Sequence, residues 1–391
     1  MILLDHICIL SNDYPSAKRP VYVFVEQLVN ALVDKGVKVS VVAPQSLTKC
    51  LIRRIPVLIR KQAYNSPLGN RYDVYRPYIL SFGNGKKWLY RLASRFNQRR
   101  IDRCIGEIKP KVLYGHFWHN ANSLKDYALS HNLPLFVACG EGDDAMEMLE
   151  AALSPIEKVK LASIVKGVIC VSSENRRKSL AYGFTNERNT IVLPNAVDTR
   201  LFHPMEKNDV LRKELGVDED DFLILFVGAF IPRKGSGILA KAITLINDQH
   251  VKAIFIGRAM PGDVDEPECN GIVFKGRIPH EKLPAYYASA DVFVLPTQNE
   301  GCSNAIIEAL AMGLPVISSN RAFNDDILND ENSIRIDPTN VDEIANAIIK
   351  MRDDKLLCKR LSEGALKTAL ELRIDKRAER IITFINRQMN Q

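Results

Sequence analysis

Short, continuous apolar segments recur along the chain, and most of them end in glycine or polar residues. The segments 222–228 and 292–295 do not alternate with polar residues, which is typical of strands buried on both faces of a parallel sheet. Helical patterns lie between such segments, as at 22–35, where Gly36 marks the expected end. The alternation predicts an α/β protein built on parallel sheets. Further strands are expected within 1–10, 37–43, 111–119, 135–143, 167–173, 253–257, 272–276 and 315–318.

The stretch 291–318 carries the most informative pattern. It predicts a strand, a loop, a helix that begins near Ser303 or Asn304 and ends at Gly313, and a second strand. The helix is apolar on every face except at Glu308, so we expect it to be buried and its carboxylate to have a partner. Helical side chains lean toward the helix N-terminus, so Glu308 should face the crevice outside the first strand, where Glu300 lies.

This crevice has the chemistry of a nucleotide-sugar site. The amide groups at the start of the helix suit a phosphate, because together they carry a partial positive charge. Glu308 can accept hydrogen bonds from both hydroxyls of a ribose, and Glu300 is placed for the hydroxyls of a sugar. The stretch therefore predicts that a nucleotide sugar binds at the start of this helix.

The two glutamates are separated by seven residues and lie between Asn299 and a Gly-Leu-Pro-Val segment that begins at Gly313. This pattern resembles the signature of the retaining glycosyltransferases of family 4. The resemblance is strong over 190–340 and loose in the N-terminal half. It implies the GT-B fold, with two facing Rossmann-like doubly wound domains and a C-terminal helix that crosses back to the N-terminal domain. The acceptor-binding domain would be 1–200 with a helix at about 372–391, and the donor-binding domain 201–371.

The resemblance also implies a reaction, in which a sugar moves from a nucleotide-sugar donor to a glycan or lipid-linked acceptor with retention of configuration and without a metal or other cofactor. The cations after the strand at 222–228 are expected to stabilise charge on the leaving diphosphate. Lys234 matches the family motif, whereas Arg233 is assigned by proximity because Ala229 stands where the family has arginine. The implied catalytic residues are Lys234, Arg233, Glu300 and His116, and the implied donor-binding residues are Glu308, Gly301, Cys302, Ser303, Asn304, Gly228 and Arg277.

The acceptor side departs from the family pattern. Gly140 stands where the family often has histidine, so His116 or His119 is a candidate for the missing imidazole; each is equally expected to be a hydrogen-bonded residue of the cleft wall. The segment 19–23 replaces the family's glycine pair with bulkier residues, which leaves the role of Tyr22 open and resembles a subgroup near the teichuronic-acid glycosyltransferases. The implied acceptor-side residues are Tyr22, His119 and Asp143.

Charge is unevenly distributed, since the excess of 53 Lys and Arg over 46 Asp and Glu lies in the N-terminal half. From 51 to 103 there are 13 basic residues, with only Asp73 and Asp102 as acids, interleaved with apolar and aromatic residues. This pattern fits an anionic membrane surface as well as an ordinary solvated face. Nucleic acid is not an expected partner, because no nucleic-acid motif accompanies the charge. The candidate membrane residues are Arg53, Arg54, Arg60, Lys61, Lys86, Lys87, Trp88, Leu89, Arg91, Arg95 and Phe96.

Cysteine spacing and the N-terminal segment bear on the cellular compartment. Eight scattered cysteines without metal-type spacing predict reduced thiols and no structural metal. The aspartate pairs at 143–144 and 325–326 are poor metal candidates, because no further ligands are spaced beside them. The first ten residues read as a strand rather than a signal peptide, and no apolar segment approaches the length of a membrane span. We therefore expect a cytoplasmic protein, with or without a peripheral position on the inner face of the membrane.

Other functions can be compared with this expectation. A nicotinamide-dependent dehydrogenase is disfavoured, because no Gly-x-Gly-x-x-Gly follows either the first strand or the strand at 222–228. A nucleotide-sugar epimerase shares the architecture and remains an alternative, as does a non-catalytic module that binds sugar nucleotides. An epimerase needs no acceptor, and the intact Glu300, Glu308 and Lys234 argue against a module that has lost its activity.

Overall fold

A computed structural model describes residues 3–16, 21–82, 87–260 and 262–391, without the side chains of Lys87, Trp88, Tyr90, Arg91, Asp143 and Asp144. The chain forms two compact units. The first comprises Met1–Val171, Asn175–Leu193 and Asp375–Gln391, and the second comprises Ser172–Glu174 and Pro194–Ile374. The long segment of the first unit thus ends at Leu193, where the sequence places the boundary near residue 200.

The first unit contains a large, mostly parallel sheet. Its strands in chain order are β1 (His6–Leu10), β2 (Lys38–Val42), β3 (Gln45–Ser46), β4 (Lys61–Asn65), β5 (Arg71–Tyr75), β6 (Tyr78–Ile79), β7 (Val112–His116), β8 (Leu135–Cys139), β9 (Val165–Cys170) and β10 (Thr190–Val192). The main sheet has the order β10-β9-β8-β7-β1-β2-β5-β4, in which β4 pairs antiparallel, while β3 and β6 pair separately. The chain builds this sheet outward from β1 in one direction and from β7 in the other, so the switch point lies between β1 and β7.

The second unit contains a sheet whose described strands are all parallel. They are β11 (Phe222–Val227), β12 (Val251–Ile256), β13 (Ile272–Gly276), β14 (Val292–Leu295), β15 (Val316–Ser319) and β16 (Ser333–Ile336). The order is β13-β12-β11-β14-β15-β16, which puts the switch point between β11 and β14. Both units therefore have the doubly wound parallel topology that the family resemblance implies.

Helices connect most of the parallel strands. They are α1 (Val23–Asp34), α2 (Leu47–Ile52), α3 (Lys87–Ile108), α4 (Trp118–Ser130), α5 (Asp143–Ala152), α6 (Pro155–Ile164), α7 (Ser173–Ala181), α8 (Asp209–Glu214), α9 (Ser236–Ile246), α10 (Leu283–Ser289), α11 (Asn304–Ala311), α12 (Val341–Asp353), α13 (Lys355–Ala369) and α14 (Ile374–Met389). In α1 the buried residues Val25, Leu28, Val29 and Leu32 have helical spacing, so one face packs inward. The chain leaves α1 through Gly36, whose φ of +85° suits glycine.

The cores form where the sheets bury apolar strands on both faces. Every residue of β7, β8 and β14 is buried, as expected for parallel strands covered on both sides. In the first unit Trp118 and Phe184 lie in the main cluster without solvent exposure, and their ring centroids are 5.0 Å apart. The loops that follow the strands therefore extend from the carboxyl ends of well-packed sheets.

The last helix belongs to the first unit, as the sequence predicts. The ring of Phe384 on α14 lies 6.3 Å from that of Phe136 on β8, and Glu379 forms an ion pair with Lys35 at the end of α1. A side chain at Gly167 would collide with both phenylalanine rings, because its Cβ would lie 2.7 Å from each. The close packing of α14 on the sheet thus depends on glycine at this position.

The predicted strand-loop-helix-strand pattern at 291–318 is confirmed. The strand Val292–Leu295 and the start of α11 at Asn304 agree with the sequence analysis, and β15 follows at Val316–Ser319. Gly313 has a φ of +73°, which explains why the helix ends there. The pattern places Glu308 within α11 and Glu300 in the loop before it.

Candidate active site

The cations of the second unit meet Glu300 at the switch point between β11 and β14. Arg233 and Lys234 lie in the short turn Pro232–Lys234 that follows β11, and Glu300 lies in the loop that follows β14. Nζ of Lys234 donates a hydrogen bond to Oε1 of Glu300, and only 18% and 12% of the two side chains are exposed. Ligands of open parallel sheets bind at this type of position.

Two further residues fix the Glu300 carboxylate. Nη1 of Arg233 lies 3.6 Å from Oε2 of Glu300 and also donates to the carbonyl oxygen of Asn299. The hydroxyl of Thr297 lies 3.0 Å from Oε1 of Glu300. Because 39% of the Arg233 side chain stays exposed, its guanidinium retains donors for an incoming anion.

Gly235 allows the turn that carries Arg233 and Lys234 to pack against the loop after β14. Its φ is +78°, and a Cβ at this position would lie 2.4 Å from the carbonyl oxygen of Pro296. Any side chain would therefore move the segment that carries Arg233 and Lys234 away from the loop after β14.

The Glu308 carboxylate has the partners that its burial requires. It is 8% exposed, its Oε1 lies 3.1 Å from Nε2 of His280, and its Oε2 accepts a hydrogen bond from the Tyr287 hydroxyl at 3.0 Å. Burial lowers the pKa of His280, but the hydrogen bond to Glu308 and nearby carboxylates outweigh it, so the pKa of His280 is raised. Burial, with the charge of Glu308, raises the pKa of Tyr287 well above its usual range, so the hydroxyl remains a donor.

The two glutamates occupy separate hydrogen-bond networks. Among the described residues Glu300 and Glu308 share no hydrogen-bond partner, which the sequence did not foresee. Each oxygen of Glu308 already accepts one bond, and a carboxylate has about four lone-pair sites in all. About two sites therefore remain for ligand hydroxyls.

The other predicted donor-side residues follow strands of the same sheet. Gly301, Cys302 and Ser303 are buried in the loop before α11, and Asn304 is its first residue. Oδ1 of Asn304 is buried without a hydrogen-bond partner among the described residues. Gly228 directly follows β11, and Arg277 directly follows β13 with its side chain exposed.

Two of the three predicted acceptor-side residues, Tyr22 and His119, meet at the switch point of the first unit, where His116 also lies. His116 ends β7, and His119 lies in the first turn of α4. Nε2 of His119 donates to Oδ1 of Asn12, which follows β1, at 2.5 Å. Nδ2 of the same Asn12 donates to the hydroxyl of Tyr22 at 3.4 Å. Asn12 was not predicted from the sequence, although its position two residues after β1 is the signal that would have found it.

Two bulky residues at this end of the strands have a positive φ, which is unfavourable for residues with a side chain. Tyr22 has a φ of 58° directly before α1, and Phe117 has a φ of 81° directly before α4. Such conformations cost about 1–3 kcal/mol each and cluster at functional sites. The Phe117 ring lies 4.7 Å from that of His116, so the strained segment also shapes the surroundings of the imidazole.

His116 is held in its neutral form. Burial, followed by the charges of Arg377 and His119, lowers the pKa of His116 to about 3. Its Nδ1 is buried without a hydrogen-bond partner among the described residues. A neutral imidazole with an unpaired nitrogen can exchange a hydrogen bond or a proton with a ligand. Burial also lowers the pKa of His119.

Glu141 is a buried carboxylate that the sequence analysis overlooked. Its oxygens accept hydrogen bonds from the backbone N–H of Trp118, at the start of α4, and of Gly140, the latter at 3.0 Å. Burial raises the pKa of Glu141 to about 7, although the backbone hydrogen bonds act in the opposite direction. The third predicted acceptor-side residue, Asp143, begins α5, and its side chain lies outside the described part of the chain.

The described residues were also compared with the requirements of a metal site, of disulfide bonds and of a membrane-spanning helix. Within the described ranges no three His, Cys, Asp or Glu side chains group as metal ligands would. All eight cysteines are free thiols. None of the described helices combines the length and the apolar character that crossing a bilayer requires.

Comparisons with known proteins agree with this architecture. A family model described as "Glycosyltransferase Family 4" matches residues 21–201, and one described as "Glycosyl transferases group 1" matches 221–354. A protein of Bacillus subtilis (strain 168) that is named as the teichuronic acid biosynthesis glycosyltransferase TuaC is 26% identical to this chain over 359 residues. The match covers 89% of each chain. A UDP-Gal:alpha-D-GlcNAc-diphosphoundecaprenol alpha-1,3-galactosyltransferase of Escherichia coli is 29% identical over 49% of this chain and 52% of its own.

Solved structures show the same fold at low sequence identity. Sucrose-phosphate synthase from Thermosynechococcus elongatus superimposes with a TM-score of 0.75 at 18% identity, over 99% of both chains. Anabaena HepE in complex with UDP-glucose superimposes with a TM-score of 0.73 at 17% identity, over 97% of this chain and 99% of HepE.

The fold and these matches define a GT-B glycosyltransferase, an enzyme that transfers glycosyl groups. Within that class, the chain belongs to the family 4-like glycosyltransferases, because the matched segments cover most of both units.

Proposed function

We propose that the protein is a retaining glycosyltransferase that moves a sugar from a nucleotide-sugar donor to a glycan or lipid-linked acceptor in the synthesis of a cell-surface polysaccharide. The observation that carries the proposal is the cluster of Lys234, Arg233 and Glu300 at the switch point of the second unit. The names of the Bacillus subtilis and Escherichia coli relatives support the pathway and the donor class. The complex of Anabaena HepE with UDP-glucose supports a nucleotide sugar as donor.

The donor chemistry follows from these groups. As the bond between the anomeric carbon and the diphosphate oxygen breaks, negative charge develops on the diphosphate. Lys234 and Arg233 would stabilise that charge, together with the amides at the start of α11. These cations supply the role that a metal plays in other transferases, so the proposal includes no metal.

The glutamates would orient the donor. Glu308, held by His280 and Tyr287, would accept the ribose hydroxyls through its remaining lone pairs. Glu300, fixed beside the two cations, would contact the hydroxyls of the transferred sugar. Retention requires the acceptor oxygen to bond to the anomeric carbon on the face that the diphosphate leaves, and the hydroxyl proton passes to the departing diphosphate. The sugar must therefore be held in one orientation while the bond breaks.

The first unit would bind the acceptor. The neutral His116, whose Nδ1 has no hydrogen-bond partner in the described part of the chain, can hydrogen bond a ligand hydroxyl at neutral pH. Tyr22 and His119 are already joined through Asn12, so this network would position the acceptor rather than carry charge.

A donor screen tests the proposal. Nucleotide sugars that differ in base and sugar would be added singly, and thermal unfolding would be followed. A true donor at about 100 times its Kd should stabilise the protein by about 2.7 kcal/mol. If no nucleotide sugar raises the unfolding temperature, the donor proposal is wrong.

Product analysis separates the remaining alternatives. With donor and acceptor, we expect the anomeric configuration of the donor to persist in the product, as read by the anomeric NMR coupling; an inverted product would contradict retention. With donor alone, a changed sugar configuration would indicate a nucleotide-sugar epimerase. Donor binding without turnover of any acceptor would indicate a non-catalytic module.

We further propose that the first unit binds peripherally to an anionic membrane surface. Around α2 and the segment after it, Leu51, Ile52 and Ile59 are 82%, 78% and 61% exposed. The exposed cations of the same segment are Arg53, Arg54, Arg60 and Lys61, and α3 adds the exposed Arg95 and Phe96. Exposed apolar side chains among cations are typical of an interfacial surface. Leu89 is half-buried, Lys86 lies outside the described residues, and so do the side chains of Lys87, Trp88 and Arg91.

A further inference from the structure

A cavity of about 530 Å³ opens in the first unit where the parallel strands end. Asn12 follows β1 in its wall, and Arg76 directly follows β5. Because β1, β2 and β5 are parallel neighbours, both residues lie at the carboxyl ends of the strands, on the same side of the sheet. Tyr22 also lines the cavity, so it adjoins the network in which Asn12 joins Tyr22 to His119.

Arg76 is a buried cation for which the described residues supply no counter-charge. Only 2% of the residue is exposed. Its Nη2 donates to the hydroxyl of Tyr64 at 2.8 Å and to the carbonyl oxygen of Pro15 at 3.4 Å, and the guanidinium lies 5.6 Å from the Tyr64 ring. Its Nη1 has no hydrogen-bond partner among the described residues, none of which forms an ion pair with Arg76.

This arrangement is costly unless an anion completes it. Arginine does not lose its proton in proteins, so Arg76 remains charged. An unpaired charge that is removed from water is unfavourable, and the positive potential it creates extends into the adjoining cavity. A purely structural arginine would be expected to have all its donors satisfied.

Two of the other three charged residues among the described residues of the wall are also cations. Lys49 on α2 and Arg53 directly after it line the cavity with exposed side chains. Neither forms an ion pair with a described residue. Asp13 is the one acidic residue among the described residues of the wall, against three cations. The long side chains of Lys49 and Arg53 can close on an anion that the buried charge attracts.

We propose that this cavity binds an oxyanion, either a phosphate or a carboxylate, on the acceptor substrate. The inference rests on the proposed glycosyl transfer and adds the chemical class of the acceptor: an acidic sugar or a phosphorylated one. The anionic group lies in the cavity against Arg76, Lys49 and Arg53, and the acceptor hydroxyls reach the network of Asn12, Tyr22 and His119.

Binding of simple sugars tests the inference. The probes are glucose, glucuronate and glucose 6-phosphate, whose dissociation constants would be measured by NMR titration at low salt. Glucuronate distinguishes a carboxylate ligand from the phosphate of glucose 6-phosphate. We expect at least one charged probe to bind about tenfold or more tightly than glucose, because its oxyanion gains charge-assisted hydrogen bonds.

Variants show whether the preference arises in this cavity. The double variant Lys49→Gln/Arg53→Gln removes exposed cations without a described ion pair, so it should fold normally and lose most of the preference. Arg76→Met should lose it as well, whereas Arg76→Lys keeps the charge and should retain part of it. Arg99→Gln, at an exposed cation of α3 that is not among the lining residues, is the matched control and should bind like the parent.

The inference is overturned if both charged probes bind no better than glucose, or if the double variant and Arg76→Met keep the full preference. A preference that persists in these variants would come from another site, such as the cations of the second unit. Failure of the proposed function is a different result, since it appears as absence of nucleotide-sugar binding in the parent protein whatever the acceptor probes do.

Discussion

Lys234 donates a hydrogen bond to Glu300 although 66 residues separate them in the chain. One follows β11 and the other follows β14, and these strands are hydrogen-bonded neighbours. The sheet therefore brings a cation and a carboxylate together at the position where open parallel sheets bind ligands. The pair holds both side chains in place before any ligand arrives.

Replacement of Lys234 by methionine should lower kcat by about 10²–10³-fold, because one preorganised donor to the leaving diphosphate is lost. Arg233→Met should have a smaller effect, since that side chain is more exposed and lies 3.6 Å from Glu300. Steady-state kinetics with the identified donor would measure both. Lys241→Met, at an exposed lysine of α9, is the matched control. Parent-level turnover in the two site variants would disprove the diphosphate assignment.

Replacement of Glu308 by glutamine should weaken donor binding by about 1.5–3 kcal/mol, which is roughly 10- to 100-fold in Kd. The neutral amide is a poorer acceptor for the ribose hydroxyls. Tyr287→Phe leaves the Glu308 carboxylate in place and removes the hydroxyl that donates to it and to the carbonyl oxygen of Ala305, so it should cost less. Donor titration by calorimetry measures both, with Glu363→Gln on α13 as an exposed control. Unchanged affinity in folded Glu308→Gln would leave the residue a purely structural role.

Glu141 should make stability fall as the pH rises. Its folded pKa of about 7 lies above the unfolded value of about 4.5, so between these values the folded state binds the proton more strongly than the unfolded state. The contribution of Glu141 to the free energy of unfolding is therefore largest below pH 4.5, and it is lost completely above pH 7. The loss is on the order of 3 kcal/mol, since each pKa unit corresponds to about 1.4 kcal/mol.

Urea unfolding at several pH values between 5 and 8 measures this effect. His116 titrates in the opposite sense, because its depressed pKa makes stability fall as the pH drops below about 6.5. The comparison must therefore be between the parent and Glu141→Gln, which share His116. The difference in unfolding free energy should change with pH in the direction given for Glu141; a difference that is constant from pH 5 to 8 would refute a raised pKa.

The membrane surface should bind anionic vesicles in a salt-dependent manner. Each cation near the bilayer contributes about 1 kcal/mol, and screening over a Debye length of about 8–10 Å weakens it as salt rises. Co-sedimentation with anionic and neutral vesicles at two salt concentrations measures this. Arg53→Gln/Arg54→Gln/Arg60→Gln should reduce recovery with anionic vesicles, and Leu51→Ser/Ile52→Ser should remove a part that salt does not. Equal recovery in the supernatant under every condition would exclude the membrane surface.

Much of the donor side was visible in the sequence because its residues are close along the chain. The strand before Glu300, the loop and α11 are consecutive, so periodicity and a glycine stop were sufficient to place them. The burial of Glu308 followed from the apolar residues around it, and from burial followed the need for a partner. The partners themselves did not follow, because His280 and Tyr287 are 28 and 21 residues away.

By itself the sequence determined the α/β class with parallel strands, the family 4 resemblance and the identity of the cations after β11, since each depends on residues near one another in the chain. The doubly wound sheets were implied only through that resemblance. Only the tertiary structure decided which loops lie together at the carboxyl ends of neighbouring strands. It joined Asn12 to His119, buried Glu141 against the start of α4, and placed Arg76 beside a cavity with no counter-charge among the described residues. The physical reason is that strand order, and with it the burial and charge of each loop residue, depends on pairings between distant segments, which local periodicity does not specify.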